Sequence, residues 1–373
     1  MNEDKASRYH RLKRQASVVS LAWSAALLGG LLATGWSAVL RDVAERAAGR
    51  APQQLHTVAA VLLFVALLSL LHELAAFPFA FYGGFVLEHR YELSNESFGS
   101  WIGDQVKGFA VGLVLGGGAA EIIYAVIRGL PTIWWLAAGA AFAALIVVLT
   151  NLAPVVLLPL FYSVKPLDRE ALRGRLLGLA ERAGARVLGA YEWGLGGKTK
   201  KANAALAGIG ATRRILVSDT MLSQYSDEEI EVVLAHELAH HVHGDVWKGI
   251  VFQSVLGIAG FYAASLVLRA AVGRAGLRGI DDVAGLPLLV LTAGAVSLVM
   301  VPAAHALSRR FERSADRFAL DLTRNPAAFI SAMRRLGAQN LAEEQPSRLV
   351  QWLFYSHPPM RDRIVAAQAF RDG

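Results

Sequence analysis

The sequence contains no cysteine among its 373 residues. This absence excludes disulfides, thiolate metal ligands and a cysteine nucleophile. Charged residues are also scarce, at 18% of the chain, whereas an average soluble domain has about 25%. The net charge is +7, but no basic stripe interleaved with aromatic residues accompanies it, which argues against nucleic-acid binding. The chemistry that remains open relies on histidine, carboxylates and a bound metal.

Apolar residues take the place of the missing charge. The hydrophobic fraction is 54% and the mean hydropathy is +0.40, both outside the usual range of a soluble domain. A bilayer core about 30 Å thick needs roughly 20 apolar residues in a helix. Six runs reach that length, so the sequence predicts a mainly α-helical, polytopic membrane bundle. The runs are Ser17–Leu40, Thr57–Val86, Gly108–Ile127, Ile133–Leu160, Ile250–Val272 and Leu286–Leu307.

The first run could be read as a secretory signal, but it is too long for a signal core and no small-x-small cleavage site follows it. We therefore interpret it as a membrane anchor. Basic residues precede it, which favours a cytoplasmic N-terminus, and four spans later the region 163–247 returns to the same side. The expected location is the inner membrane of a bacterium, with this region facing the cytoplasm. The basic residues of the N-terminal tail are Lys5, Arg8, Arg11, Lys13 and Arg14.

One short motif indicates the chemistry. Residues Leu234–Val242 contain a His-Glu-x-x-His pattern formed by His236, Glu237 and His240. A helix advances about 100° per residue, so the two histidines lie on one face and can bind one zinc ion, while Glu237 is placed to act as a general base. Ser226 with a glutamate three residues later is a capping-box arrangement, which predicts that a helix begins there.

A catalytic zinc needs a third protein ligand. Glu312 and Asp316 stand four residues apart, so one carboxylate can bind the metal while the other accepts a hydrogen bond from the ring N–H of a ligand histidine. The alternative for this segment is a solvated, charged helix face with arginine–glutamate pairs. The spacing alone does not decide which carboxylate has which role.

The chain resembles the CAAX prenyl protease family of integral-membrane zinc metallopeptidases, of the gluzincin type, with the bacterial quality-control protease HtpX as a more distant relative. The matching stretches are Phe85–Tyr91, Asn203, Ile215–Thr220, the zinc motif, Arg309–Asp316, and Ser356–Pro359 followed by Arg363.

The resemblance implies a role for each matching residue. It gives His236, His240 and Glu312 as ligands of one zinc per chain and Glu237 as the base. It also implies that Asn203 holds the substrate backbone, and that His357 and Arg363 contact the scissile carbonyl region. The family is usually described with seven spans, so one N-terminal helix is expected to be absent here.

The resulting domain organisation has four parts. Residues 1–165 are predicted to form a membrane region with four spans, and residues 166–247 a cytoplasmic, zincin-like insertion that contains the zinc helix. Residues 248–308 are predicted to form a two-span hairpin, and residues 309–373 a catalytic segment. The insertion is predicted to contain a small sheet, because two segments have strand-like composition and a third resembles an edge strand on which an extended substrate can pair. These segments are Ala185–Leu195, Ile215–Asp219 and Ala202–Gly210.

Other polar features have weaker patterns. Gly196–Thr199 imitates the end of a phosphate-binding loop, but the required first glycine is replaced by Glu192. Glu121 lies inside an apolar run, where a charge is costly, so it should face the bundle interior or water. His241 and His243 flank the motif and are interpreted as surface polar groups.

The predicted function is hydrolysis of peptide bonds at the cytoplasmic membrane face, by a membrane zinc metalloendopeptidase acting on a peptide or membrane protein that can carry a prenyl group. Three alternatives stay open: an HtpX-like quality-control protease, a catalytically silent membrane scaffold, and a transporter. Asp245 follows Gly244 where prenyl proteases commonly have histidine and the HtpX branch has aspartate. The intact base Glu237 argues against the silent scaffold, and internal repeats typical of transporters are not evident.

Overall fold

The computed structural model describes residues 4–208, 210–274 and 276–372. Within these residues the chain is mainly helical, with one small sheet, as the sequence predicts. The α-helices are α1 Lys5–Ala33, α2 Trp36–Ala48, α3 His56–Phe81, α4 Leu87–Arg90, α5 Phe98–Gly129, α6 Trp134–Leu152, α7 Leu158–Phe161, α8 Glu170–Arg182, α9 Asp219–Gln224, α10 Asp227–Val242, α11 Asp245–Ala271, α12 Leu286–Thr323, α13 Pro326–Gln339, α14 Arg348–Phe354 and α15 Met360–Asp372. The strands are β1 Ser163–Pro166, β2 Ala190–Gly194, β3 Ala204–Ala207 and β4 Arg214–Ser218.

Six helical segments of the described chain are long and apolar enough to cross a bilayer, which agrees with the six predicted spans. Two of them continue through a π-helical turn, at Tyr82–Val86 and Ala153–Leu157. The segments are Lys5–Ala33, Gln53–Arg90, Phe98–Gly129, Trp134–Phe161, Asp245–Ala271 and Val283–Thr323. The chain is therefore a multi-pass integral membrane protein.

The first span ends earlier than the predicted limit of Leu40. Helix α1 ends at Ala33, and α2 starts at Trp36 after Gly35, whose φ is +78°. Glycine adopts this left-handed conformation without the steric penalty of a Cβ atom, so it allows the chain to turn there. The apolar residues after it belong to α2, a separate short helix, because hydropathy alone does not register a single backbone reversal.

Helix α12 connects the membrane bundle to the predicted catalytic segment without a break. It has 38 residues, and at 1.5 Å per residue it is about 57 Å long, roughly twice the thickness of the bilayer core. The predicted boundary between 248–308 and 309–373 lies inside this helix. Glu312 and Asp316 are thus carried on the same rigid rod that crosses the membrane.

The sheet has the strand order β1-β2-β4-β3. Strand β2 pairs antiparallel with β1 and parallel with β4, and β3 pairs antiparallel with β4 at the edge of the sheet. The predicted segment Ala185–Leu195 contains β2. The predicted segment Ile215–Asp219 overlaps β4, which begins one residue earlier, at Arg214, and ends at Ser218. The predicted edge strand Ala202–Gly210 contains β3. Residue 209 of that segment lies outside the described residues. Strand β1 was not predicted, because it directly follows an apolar helix and has only four residues.

The zinc helix α10 is the centre of the soluble part. Ser226 caps the start of this helix. Its hydroxyl accepts a hydrogen bond from the Glu229 N–H, and the Glu229 carboxylate accepts one from the Ser226 N–H. The predicted capping box is therefore present. Apolar side chains of α10, such as Ile230, Leu234 and Leu238, are fully buried in one core with residues from the sheet, α8 and α13. This packing fixes the rotation of α10 and with it the direction of its polar face.

The start of α1 is fastened to the soluble part by a partly buried cluster around Glu88. The Glu88 carboxylate accepts hydrogen bonds from Tyr9 at 2.5 Å, Lys13 at 2.5 Å and Lys201 at 2.7 Å. Lys201 lies two residues before Asn203 and close to the edge strand. The N-terminal span, the end of the second span and the edge strand are thereby held together by one carboxylate.

Replacing the cap residue should destabilise the fold measurably. We expect Ser226→Ala to lower the free energy of unfolding by about 1 kcal/mol, because the Glu229 N–H loses its acceptor at the start of the helix. The midpoint of thermal unfolding in detergent measures the effect. Ser223→Ala is the matched control, since Ser223 is exposed and its hydroxyl donates one local hydrogen bond to the Thr220 carbonyl. Equal midpoints for the two variants would contradict the capping role.

Candidate metal centre

Helix α10 and helix α12 pack side by side and bring three ligand-type side chains together. The Nε2 atom of His236 lies 3.2 Å from Glu312 Oε2, and the Nε2 atom of His240 lies 3.5 Å from Glu312 Oε1. The ligand atoms of these three residues all lie within 4.8 Å of one another. The side chains of His236 and Glu312 are buried, so the surrounding protein shields these two residues from solvent.

A carboxylate fixes the orientation of each of the two imidazoles. His236 Nδ1 lies 2.9 Å from Asp316 Oδ1, and His240 Nδ1 lies 3.1 Å from Asp245 Oδ2. A ring N–H at Nδ1 can donate to the carboxylate in both pairs, so Nε2 is the nitrogen that is directed at Glu312 and can bind a metal once it is deprotonated. The carboxylate roles that the sequence left open are therefore separated: Glu312 faces the two Nε2 atoms, whereas Asp316 lies behind His236.

This donor set fits a zinc ion. Two neutral imidazoles and one carboxylate form a ligand set found in catalytic zinc sites, and a fourth position stays open for water or substrate. With bonds of about 2.0–2.2 Å, tetrahedral zinc places its ligand atoms about 3.3–3.6 Å apart. The observed separations of 3.2 and 3.5 Å from Glu312 to the two histidines match that spacing.

The protonation behaviour of the site also fits metal-assisted acid–base chemistry. Burial raises the pKa of Glu237 above its ordinary value, against the opposing effect of positive charge on the two histidines. A carboxylate with a raised pKa is a better proton acceptor. Burial alone would lower the pKa of His236, but hydrogen bonds to Asp316 and Glu312 raise it to about 9. A metal that binds Nε2 displaces this proton, as is usual for histidine ligands.

The cluster opens into a cavity of about 360 Å³. Among its lining residues are Asn203, Glu237, His357 and Arg363, so the structure brings together the residues singled out from the sequence. Asn203 is exposed and directly precedes edge strand β3, and its backbone N–H and C=O both bond to Ser218 in β4. Its side chain is therefore free to reach a ligand in the cavity.

His357 and Arg363 occupy different environments. The His357 side chain is 62% exposed at the rim, with Nδ1 2.8 Å from Glu312 Oε2. The Arg363 guanidinium is buried and donates to both carboxylate oxygens of Asp316, at 2.8 and 2.5 Å. It also lies 3.3 Å from His236 Nδ1. Arg363 therefore holds the carboxylate that orients His236, in addition to lining the cavity.

Three residues of the site were not identified by sequence reasoning. Asp245 orients His240 and is itself bonded by Lys248 at 3.0 Å. Its place directly after a left-handed Gly244, five residues beyond His240, is the signal that could have indicated this role. Asn340 bonds both backbone groups of Ala202, and so fixes the approach to the edge strand. His241, interpreted as a surface group, instead bonds the Leu206 carbonyl at 3.0 Å.

The phosphate-loop pattern at Gly196–Thr199 has a different structural use. The backbone N–H groups of Leu195 and Gly196 both donate to the carboxylate of Asp219. A carboxylate thus occupies the place where a nucleotide phosphate would bind. Glu121 has a buried carboxylate oxygen without a hydrogen bond in the described chain, and it contributes nothing to the metal cluster.

Comparison with known proteins agrees with this geometry. Residues 2–163 match the CAAX prenyl protease N-terminal domain, described as having five membrane helices, and residues 166–371 match peptidase family M48. In the first region this chain has four candidate spans among its described residues, and the shorter helix α2. The family description thus counts one more membrane helix in this region than the described residues have candidate spans.

Several relatives span most of the chain. A metalloprotease called YhfN from Bacillus subtilis, whose name describes it as uncharacterised, is 31% identical over 82% of this chain and 72% of that protein. A CAAX prenyl protease 1 homolog from Oryza sativa is 28% identical over 84% of this chain and 73% of that protein. The crystal structure of Ste24p from S. mikatae has the same fold, with a TM-score of 0.84 at 22% identity, over 97% of this chain and 87% of that one. The chain therefore belongs to the M48 family of metallopeptidases, within the branch that carries the CAAX prenyl protease N-terminal domain.

Proposed function

We propose that this membrane metallopeptidase binds one zinc ion through His236, His240 and Glu312 and cleaves extended peptides at the cytoplasmic membrane surface. The observation that carries the proposal is the convergence of two carboxylate-oriented imidazoles on Glu312, at 3.2 and 3.5 Å. Each imidazole has its Nδ1 atom bonded to a carboxylate and its Nε2 atom directed at Glu312, which is the usual arrangement of histidines that bind a metal.

The chain's own residues divide the work of hydrolysis. When bound, zinc supplies a Lewis acid that polarises a carbonyl oxygen. Glu237 takes a proton from the attacking water and later gives it to the leaving amine. Its position one residue after His236 places its carboxylate in the same cavity. His357, at the exposed rim, is placed to donate a hydrogen bond to the developing oxyanion.

Substrate binding is assigned to the edge of the sheet. Among the described strands, β3 pairs only with β4. On its other side Asn340 bonds the backbone of Ala202 and His241 bonds the Leu206 carbonyl, so the stretch between these two points is where an extended peptide would pair. Asn203 at the start of this edge would hold the substrate backbone, and Arg363 would line the pocket near the scissile carbonyl. The cytoplasmic orientation rests on the basic residues of the N-terminal tail.

Asp245 gives specific support to a second version of this function. The hypothesis that the substrate carries a prenyl group is based on relatives whose names include CAAX prenyl protease. Asp245 in place of histidine instead favours general clearance of membrane proteins, as in the quality-control branch. Both versions use the same catalytic residues and differ in whether a lipid-bearing chain end is required. A silent scaffold would not need the base Glu237.

Removing the base should abolish hydrolysis without removing the metal. We expect Glu237→Gln to keep about one zinc per chain and to lose nearly all peptidase activity, because an amide cannot accept the water's proton. Elemental analysis and cleavage of a quenched fluorescent peptide measure the two properties. His240→Ala should lose zinc as well as activity, and a chelator should inactivate the unmodified protein. Activity of Glu237→Gln within tenfold of the parent would refute the assignment.

The two orienting carboxylates should control zinc affinity. Asp245→Ala and Asp316→Ala are each expected to weaken zinc binding by about 10- to 100-fold, because the imidazole loses its fixed tautomer and orientation. Competition with a fluorescent chelator measures the dissociation constant. Asp321→Ala, an exposed position on the same helix as Asp316 that pairs with Arg317, is the control and should leave the affinity unchanged. Unchanged affinity in both test variants would show that the hydrogen bonds do not matter.

The substrate class can be resolved with one peptide in two forms. Comparing cleavage of the peptide with and without a farnesyl group separates prenyl processing from general clearance, since equal rates favour clearance. Asn203→Ala should slow both forms by a similar factor, because the amide is assigned to the peptide backbone. Lys200→Ala, an exposed neighbour, is the control. A defect confined to the farnesylated form would contradict the backbone role of Asn203.

A further inference from the structure

The short helix α14 presents an apolar face that no other part of the described chain covers. Leu349 and Trp352 are 64% and 50% exposed, and residues three apart lie on the same side of a helix. Phe354 at the end of the helix is 42% exposed. Arg348, also exposed, stands beside them at the first position. An exposed tryptophan and leucine with an adjacent arginine are typical of helices that lie in a membrane interface.

Helix α14 is attached to the membrane bundle at a defined depth. The Arg309 side chain, on α12, donates to the Gln351 carbonyl at 3.1 Å and the Tyr355 carbonyl at 2.6 Å. Arg309 lies two residues beyond Leu307, the end of the apolar run of that span. At 1.5 Å per residue this distance is about 3 Å along the helix axis. The C-terminal end of α14 is therefore at the level where the apolar run of α12 ends.

A second span gives the same depth independently. The Arg14 side chain, on α1, donates to the Tyr355 hydroxyl at 3.0 Å and to the Glu343 carboxylate at 2.6 Å. Arg14 lies three residues before Ser17, the start of the first apolar run. Two spans from opposite ends of the sequence thus place Tyr355 at one boundary of the bilayer.

We propose that α14 is an in-plane interfacial helix and that its partner is the phospholipid headgroup layer on the side of the metal site. Trp352 and Leu349 enter the boundary between headgroups and acyl chains, and Arg348 extends to the phosphates. The occupant is lipid because the exposed apolar face lies at the level that the contacts of Arg309 and Arg14 define, next to the ends of two apolar runs. This inference requires a membrane-inserted chain and does not depend on the peptidase assignment.

The proposed contact has a consequence for the site. His357 follows Tyr355 by two residues, and its ring contacts Glu312. A helix held in the headgroup layer would therefore fix the rim of the cavity against the membrane surface.

The absence of cysteine allows a direct test, because one introduced cysteine is the only labelling site. Leu349→Cys carries a nitroxide spin label in the full-length protein, reconstituted in phosphatidylcholine–phosphatidylglycerol vesicles. Power saturation compares collisions with oxygen, which concentrates in lipid, and with a water-soluble nickel chelate. Leu298→Cys, 57% exposed on the span of α12, is the lipid control. Glu170→Cys on α8, with a side chain 86% exposed, is the aqueous control.

We expect the label at Leu349 to favour oxygen over the nickel chelate by at least threefold relative to Glu170→Cys, and less strongly than Leu298→Cys. A ratio equal to that of Glu170→Cys would overturn the proposal, because the face would be in water. Shielding from both reagents would also overturn it, since a protein partner would then cover the helix. Trp352→Cys repeats the measurement on the same face, so a folding defect of one variant leaves the other decisive.

Discussion

The site depends on hydrogen bonds between carboxylates and the Nδ1 atoms of two histidines. Imidazole has two nitrogens, and a metal site requires that the correct one be deprotonated and correctly aimed. Asp316 accepts the hydrogen of His236, Asp245 accepts that of His240, and both Nε2 atoms then converge on Glu312. Arg363 in turn holds Asp316 with two hydrogen bonds. The orientation of the centre is thus set by a chain of buried charges.

These charges come from four separate elements, and helix packing brings them together. Helix α10 supplies the histidines, the start of α11 supplies Asp245, α12 supplies Glu312 and Asp316, and α15 supplies Arg363. Because α11 and α12 also cross the membrane, the rigid rods that anchor the protein are the ones that complete the centre. A change in how these spans pack would alter the positions of Asp245 and Glu312 relative to α10.

The start of the N-terminal span contributes to the cavity beside the metal cluster. The cavity lies beside the edge strand, and the start of α1 is tied to the edge strand through Glu88 and Lys201. His10 at the same end of α1 lines the cavity. The N-terminal span is therefore part of the cavity wall, which gives a physical reason why the membrane region and the peptidase region occur together in one chain.

The sequence by itself determined the elements whose signals are local. The six apolar runs, the capping box at Ser226 and the helical phasing of His236 and His240 all follow from side chains within a few turns of one another. The hydropathy pattern did not indicate the turn of the chain at Gly35, because hydropathy is averaged over many residues. It also did not indicate strand β1, which has only four residues.

The tertiary structure alone decided which distant groups meet. It placed Glu312, the ligand implied by the resemblance, against the Nε2 atoms of both histidines. It also brought Asp245 behind His240 and turned His241 toward the Leu206 carbonyl. The physical reason is that each of these contacts depends on the relative rotation and depth of packed helices. Packing in the core around Leu234 and Leu238 fixes those quantities, and no periodicity within a single helix encodes them.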